Sequence, residues 1–285
     1  MNRKILVTGA LGVIAGKVIP ELAKQYDLTL LDLRNTDRSG KRIEGIVTAD
    51  LLAADRDAYR TYFRGVHAVI HSGFVHPKDP EDQDARFQAE LENVRMAYNV
   101  YQACVEEGVR RLVNISSNHA ADFYEQHILD GRLTGIGPET PAYSDNFYGW
   151  AKVSYEALGF AFAAGKLNGG RRLSNVQLRI GAPRETDIEA CRPGDLRKMK
   201  RDLGAYLSLR DEVQLIVKSI ETENIDNEWG VPFQIFYGVS GNTFGFWKTD
   251  NARRIIGYEP EDDGAVRFAE HMRRIANGST PTRSV

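Results

Sequence analysis

The sequence predicts an α/β protein built on a doubly wound parallel sheet. Short apolar runs alternate with helical patterns through the first two-thirds of the 285 residues. The runs are continuously apolar, as strands covered by helices on both faces should be. The first run also ends in a glycine turn that opens a helix, the usual start of a βαβ unit.

Taken in order, Ile5 to Val7 reads as a buried parallel strand, and Gly9 and Gly12 lead into a helical pattern through about Lys24. Glycines at a strand-to-helix turn let the backbone approach a pyrophosphate, whose charge is held by the helix N-terminus. Ala15 takes the third position of that fingerprint and is small enough for the helix to pack closely on the strand. Val13 and Ile14, at the helix start, belong to the same candidate cofactor site. A second strand, Leu28 to Leu31, ends at Asp32, about twenty residues beyond Gly12. An acid there takes the adenosine ribose hydroxyls. Leu33 and Arg34 follow it in the cofactor site. Arg34 could pair with a 2′-phosphate, but Asp32 at the strand end would repel one, so NAD is favoured over NADP.

A polar loop (34–44) precedes a short strand at Gly45–Thr48, which leads to Asp50. A helix is expected at about 54–64, then the strand Ala68–His71, with Ser72 and Gly73 completing the cofactor side. A long helix, roughly 84–107, ends at Gly108, a good C-cap. The next strand is Arg111–Ser116, the next helix about 145–166 with Gly169-Gly170 closing it, and the sixth strand Val176–Ile180. Ligands belong at the strands' carboxyl ends, where Gly9, Asp32, His71, Ser116 and Ser117 fall. After Gly181 the texture turns polar, with Arg192, Arg197, Lys198 and Arg201 among acids. Helices near 210–221 and 264–276 and a strand near 233–237 are expected. The division is therefore a dinucleotide-binding domain, 1–181, and a small substrate lobe, 182–285, with a frayed tail from Asn277.

Tyr148 and Lys152 lie one helical turn apart, about thirty residues after Ser116-Ser117, which puts phenol and ammonium on one helix face. A phenol ionises near pH 10, and a fixed cation close by favours the phenolate. Tyr148 then qualifies as a general base, with Ser117, or Ser116 if the register shifts by one, holding a substrate oxygen. Taken alone, the Y-x-x-x-K spacing also occurs in helices that catalyse nothing.

Glycine turn, serine pair, tyrosine and lysine in this order resemble the extended short-chain dehydrogenase/reductase family, over nearly the whole chain. The resemblance implies a Rossmann fold, bound NAD, and catalysis by Ser117, Tyr148 and Lys152. It also implies an adenine contact at Asp50-Leu51, with a helix cap as the other reading of Asp50, and a structural asparagine at Asn93. Ser116-Ser117-Asn118-His119, Arg179-Ile180-Gly181, Tyr237-Gly238-Val239-Ser240 and Phe246-Trp247 further resemble the bacterial uronate dehydrogenases. That branch oxidises the anomeric carbon of glucuronate or galacturonate to an aldonolactone. On this reading His76, Ser117, Asn118, His119, Arg179 and Phe246 contact the sugar, with Arg179 forking onto its carboxylate. For Arg179 the alternative is a buried structural ion pair, and for Phe246 core packing; the basic run 192–201 either draws in an anion or is a solvated helix face. The stretch from Ser117 to Tyr148 is longer than the branch leads one to expect, with extra residues around 128–135, and His76 falls about where the branch places a small polar residue, so a related sugar or a different sugar acid also fits.

Charged content of 27% and a net charge of −2 give no reason to expect nucleic acid or a membrane surface as partner. No apolar stretch approaches a membrane span, and Met1 runs straight into the first strand, leaving no room for a signal peptide. Cys104 and Cys191 lack metal-ligand spacing and suit a reducing compartment, so no metal and a cytoplasmic location are expected. The expected partners are a small sugar or sugar acid and a second copy of the chain, as a homodimer or higher homo-oligomer. A nucleotide-sugar epimerase or dehydratase with tightly held NAD, and a non-catalytic dinucleotide-binding regulator, are the competing functions.

Overall fold

The computed structural model describes residues 2–36 and 39–277. The tail expected to fray lies, beyond Asn277, outside them. In chain order the strands are β1 (Lys4–Thr8), β2 (Asp27–Asp32), β3 (Ile46–Thr48), β4 (Ala68–His71), β5 (Arg111–Ser117), β6 (Asn175–Ile180) and β7 (Phe233–Gly238). The helices are α1 (Val13–Leu22), α2 (Asp57–Arg60), α3 (Gln83–Glu106), α4 (Glu125–Leu129), α5 (Phe147–Ala164) and α6 (Thr186–Glu189). After them come α7 (Leu196–Ala205), α8 (Leu209–Glu221), α9 (Asp250–Ile256), α10 (Gly264–Arg267) and α11 (Ala269–Ala276).

The strands form one seven-stranded sheet in the order β3-β2-β1-β4-β5-β6-β7, every pairing parallel. Alternation along β1 explains why the run is apolar throughout. Ile5 and Val7 pack with Val18 and Leu22 of α1 and Leu215, Ile216 and Ile220 of α8 on one face. Leu6 packs with Val100, Tyr101 and Cys104 of α3 and Ala151, Tyr155 and Phe162 of α5 on the other. Each such side chain contributes about 1.5–3 kcal/mol by leaving water, so the sheet is clamped from both sides.

Two boundaries differ from the sequence reading. Helix α5 stops at Gly165, which takes the left-handed conformation (φ 80°) as its C-cap, earlier than Gly169-Gly170. The helix expected at 54–64 is a short α2 followed by a tighter turn over Thr61–Phe63. Of the segment beyond Gly181, α8 and β7 join the main sheet and its covering layer. A separate small core of Ile188, Cys191, Met199, Leu203, Tyr206, Phe268 and Ile275 binds α6, α7 and α11 together.

Candidate active site

The cofactor cradle begins where β1 ends. Gly9 adopts φ 69°, and a Cβ there would sit 2.6 Å from the Gly73 nitrogen, so only glycine permits the β1 and β4 loops to touch. Gly12 is the N-cap of α1 and supplies no side-chain cap, which leaves first-turn N–H groups open to an anion. The Asp32 carboxylate accepts hydrogen bonds from the Leu11 N–H at 2.9 Å and the Arg34 N–H at 3.3 Å, bracing the turn from the β2 tip. Val13 and Leu33 leave 42% and 68% of their surface exposed beside that turn, and Arg34 is exposed as well. Open helix N–H groups, an acid at the second strand tip and flanking apolar surface all fit a dinucleotide. Ile14 is partly buried against the core. Leu51 is buried, and exposed Asp50 accepts from the Leu52 N–H at 2.8 Å, so it caps its own turn.

His71, expected at the cofactor surface, is buried, its Nδ1 2.7 Å from Thr8 Oγ1. Burial, with Lys152 nearby, pushes its pKa down to about 3, so the imidazole is neutral and ties two strand tips together. Asn93 of α3 binds both backbone groups of Val75: Oδ1 accepts from the N–H at 2.7 Å and Nδ2 donates to the carbonyl at 3.0 Å. It thereby fixes the Ser72–His76 loop, whose Phe74 ring meets Tyr148 edge-on with centroids 5.5 Å apart. His76 is exposed, against Phe74.

Asn146 starts α5 by accepting from the Gly149 N–H at 2.9 Å, the capping role asparagine favours. A Cβ on Gly149 would lie 2.0 Å from the His119 carbonyl oxygen, so this glycine lets the helix start press against the turn after β5. The result sets the Tyr148 ring 5.4 Å from the His119 ring and 5.1 Å from Lys152 Nζ. Lys152 is buried and donates to the Ile115 carbonyl at 3.2 Å. Burial alone would lower its pKa, but Tyr148, Tyr155 and Glu90 outweigh that and hold it above the ordinary lysine value. A firmly charged ammonium therefore stands beside the phenol.

Alternation along β5 separates the two serines. Ser116 donates to Glu156 Oε1 at 2.7 Å, beneath the site. Ser117, at the strand tip, accepts from the His119 N–H at 3.2 Å and lies 3.4 Å from Asn118 Oδ1. The strand tip thus presents Ser117, and Ser116 acts on Glu156.

Two residues expected to contact the sugar are buried among protein partners. The Arg179 guanidinium, 1% exposed, is bound on two sides by Glu156 and donates to the Tyr237 hydroxyl at 2.9 Å, leaving no fork for a substrate. Phe246 is buried against Trp247, ring centroids 3.9 Å apart, and packs with Ile128, Ile136 and Tyr237. The extra residues at 128–135 lead into this core, where the Ile136 N–H donates to the Phe246 carbonyl at 2.9 Å. In the basic run, Arg197 pairs with Asp130, Lys198 with Asp202, and Arg201 with Glu125.

Sequence reasoning missed Asp122, Glu125, Asn146, Glu156 and Phe74. Asp122 Oδ2 lies 2.5 Å from His119 Nδ1 and accepts from Asn146 Nδ2 at 2.9 Å, joining the turn to the start of α5. Buried Asn118 donates to Glu125 at 3.4 Å. Burial raises the Glu125 pKa against the opposing pull of Arg201. The i,i+3 spacing of His119 and Asp122 and the asparagine before the Tyr148 helix were readable signals; the other partners are distant in sequence. Among the described residues, no cluster of three or more His, Cys, Asp or Glu could hold a metal, and no helix is long and apolar enough to cross a membrane.

A phenol paired with a charged lysine suits redox chemistry when a hydride acceptor lies within reach, and the glycine cradle opens on the same edge of the sheet. Fold and site together define an NAD-dependent enzyme of the extended short-chain dehydrogenase/reductase type. More particularly, the chain belongs to the NAD dependent epimerase/dehydratase family, whose model matches residues 5–175. It is 32% identical over 262 residues to a uronate dehydrogenase of Pseudomonas putida, covering 91% of this chain and 84% of that one. It is 29% identical over 279 residues to an NAD-dependent glucose-6-phosphate dehydrogenase of Haloferax volcanii, covering 93% and 95%. It also resembles a mutant uronate dehydrogenase of Agrobacterium tumefaciens solved in complex with NAD, with a TM-score of 0.70 and 25% identity, covering 99% of this chain and 92% of that one.

Proposed function

We propose that the chain oxidises the anomeric carbon of a free sugar, a uronate or a related aldose, to the aldonolactone. The single observation that carries this reading is Tyr148 beside the charged Lys152 and the Ser117–His119 turn. Ser117 holds the anomeric oxygen, and Tyr148, its phenolate favoured by Lys152, removes the proton of the anomeric hydroxyl while the hydrogen on the anomeric carbon leaves as hydride. NAD, when bound, would supply the hydride acceptor. Gly9, Gly12, Val13 and Ile14 would hold its pyrophosphate, Asp32 its adenosine ribose, and Lys152 its nicotinamide ribose. Phe74 and His119 flank the phenol.

The relatives, named for oxidation of different sugars, support the reaction class more than any one substrate. The enzyme works as a cytoplasmic homodimer in this reading. The test is NADH absorbance with a panel of free sugars, sugar acids and nucleotide sugars. Stoichiometric NADH from a free sugar supports the proposal. Turnover of a nucleotide sugar with no net NADH makes the protein an epimerase or dehydratase instead.

A further inference from the structure

We propose that Asp122 is a positioning residue: it fixes the His119 imidazole in the Nδ1–H form and so leaves a bare Nε2 as hydrogen-bond acceptor beside Tyr148. The inference rests on the dehydrogenase reading for its consequence and on the turn after β5 for its geometry.

Three contacts hold His119 at the reacting edge of the sheet. Its backbone N–H donates to Ser117 Oγ at 3.2 Å. Its ring meets the Tyr148 ring with centroids 5.4 Å apart and planes at 73°. Its Nδ1 lies 2.5 Å from Asp122 Oδ2. A sugar hydroxyl held between Ser117 and Tyr148 therefore has this imidazole as a neighbour. The side chain is 41% exposed, and among the described residues no protein group bonds its Nε2.

Chemistry at Nδ1 decides the state of the ring. Asn146 is oriented by its own cap: Oδ1 takes the Gly149 N–H at 2.9 Å, so Nδ2 is the group that donates to Asp122 Oδ2, also at 2.9 Å. Asp122 Oδ2 is thus an acceptor on both sides, and the proton between it and His119 belongs to Nδ1. Asp122 Oδ1 is buried with no partner, so among the described residues His119 and Asn146 are the carboxylate's only hydrogen-bond donors. In a neutral ring with Nδ1 protonated, Nε2 can only accept. A sugar ring brings several hydroxyls, and each one taken out of water needs a partner for its proton. Tyr148 takes the proton of the anomeric hydroxyl, and Lys152 only donates. His119 Nε2 supplies the acceptor for a second hydroxyl of the same sugar. With the proton moved to Nε2 the ring would offer a donor instead, and that hydroxyl would lose its acceptor.

Long-range proton–nitrogen NMR of the imidazoles in the full-length protein, at about pH 8.5 where an ordinary histidine is neutral, reads the ring directly. His119→Gln assigns the signals. The wild type should show His119 protonated at Nδ1 alone; a bare Nδ1, or both nitrogens protonated, overturns the inference. Asp122→Asn keeps the side-chain shape but can donate as well as accept. It should bring in the Nε2–H form, and an unchanged ring overturns the role given to the carboxylate. With NAD and the best free sugar, kcat/KM should fall by about tenfold in Asp122→Asn, the scale of one hydrogen bond. In a His119→Phe background the same substitution should change kcat/KM by no more than about twofold, because Asp122 acts through the imidazole. A tenfold loss that persists there makes Asp122 only a brace for Asn146 and the start of α5, and overturns the positioning role. Absence of NADH with every free sugar defeats the dehydrogenase reading instead, and the NMR state of the ring then decides the assignment to Asp122 by itself.

Discussion

Arg179 and Glu156 are joined by two hydrogen bonds, 2.9 and 2.7 Å long, between side chains only 1% and 4% exposed. Arg179 lies on β6, Glu156 on α5, and Ser116 of β5 adds its hydroxyl to the same carboxylate at 2.7 Å. The pair therefore locks the Tyr148 helix onto the strands beneath it.

Arg179→Ala should lower stability by about 3–5 kcal/mol, because Glu156 is left charged and buried without its partner. Arg179→Met combined with Glu156→Leu should recover most of that loss, since an apolar pair needs no desolvation of charge. Urea unfolding of the variants checks both. A stable Arg179→Ala protein that loses activity on uronates alone would return Arg179 to the substrate.

Tyr148→Phe should reduce kcat on the order of a hundredfold or more, the scale of a positioned acid–base group. NAD affinity should hardly change, because the ring still packs against Phe74 and His119. Steady-state kinetics with fluorescence titration of NADH tests this. Near-normal turnover would remove the phenol from the mechanism.

Asp32→Ala should weaken NAD and relax discrimination against NADP by roughly 1–3 kcal/mol, the scale of a hydrogen bond to a charged group. Part of the loss is indirect, since Asp32 also holds the Leu11 N–H of the glycine turn. Asp32→Asn separates the contributions: it keeps an acceptor for Leu11 but loses the charge that repels a 2′-phosphate. A wild type that already prefers NADP would hand cofactor choice to Arg34.

The chain should dimerise through α3 and α5, which pack side by side. Leu91 and Tyr98 on α3 and Trp150 and Phe160 on α5 keep 38–43% of their surface exposed. Ala97, Tyr101 and Phe162, on the same two helices, are already spent on the sheet. A two-fold axis would pair the exposed set with itself. Light scattering at micromolar concentration should give twice the chain mass, and Tyr98→Glu with Phe160→Glu should give monomers. A monomeric wild type rejects the interface.

Much of the frame was legible because it rests on local signals. Continuous apolar runs located the strands, Gly9 and Gly12 the first turn, and the Tyr148–Lys152 spacing one helix face. Register supplied what spacing could not. Ser116 and Ser117 look alike in the sequence, and only the alternation of β5 sends one towards Glu156 and the other to the strand tip. Arg179 looked available because Glu156 lies on another element and nothing local announces the pair. Phe246 failed for a related reason: its partners Ile128 and Ile136 belong to a distant segment that folds onto it. The strand expected near 233–237 pairs with β6 in the main sheet, a pairing that the polar stretch before it does not announce.

Glu212 should make stability fall with rising pH. It lies in the first turn of α8, which packs on α1, fully buried, and neither carboxylate oxygen has a hydrogen-bond partner. Burial pushes its pKa up from 4.5 to about 8, against the opposing influence of Lys17. The native state therefore keeps a proton that the unfolded chain releases above about pH 4.5. Its stability contribution is intact below that pH and is lost progressively as pH climbs to about 8, by up to a few kcal/mol in all. Glu212→Gln, always neutral, should flatten the profile and be the more stable protein at the alkaline end. Urea midpoints of wild type and variant at about pH 6 and about pH 8.5 measure the difference. Parallel profiles for the two proteins would mean that Glu212 is ionised in the native state across the whole range, and the burial argument would fail.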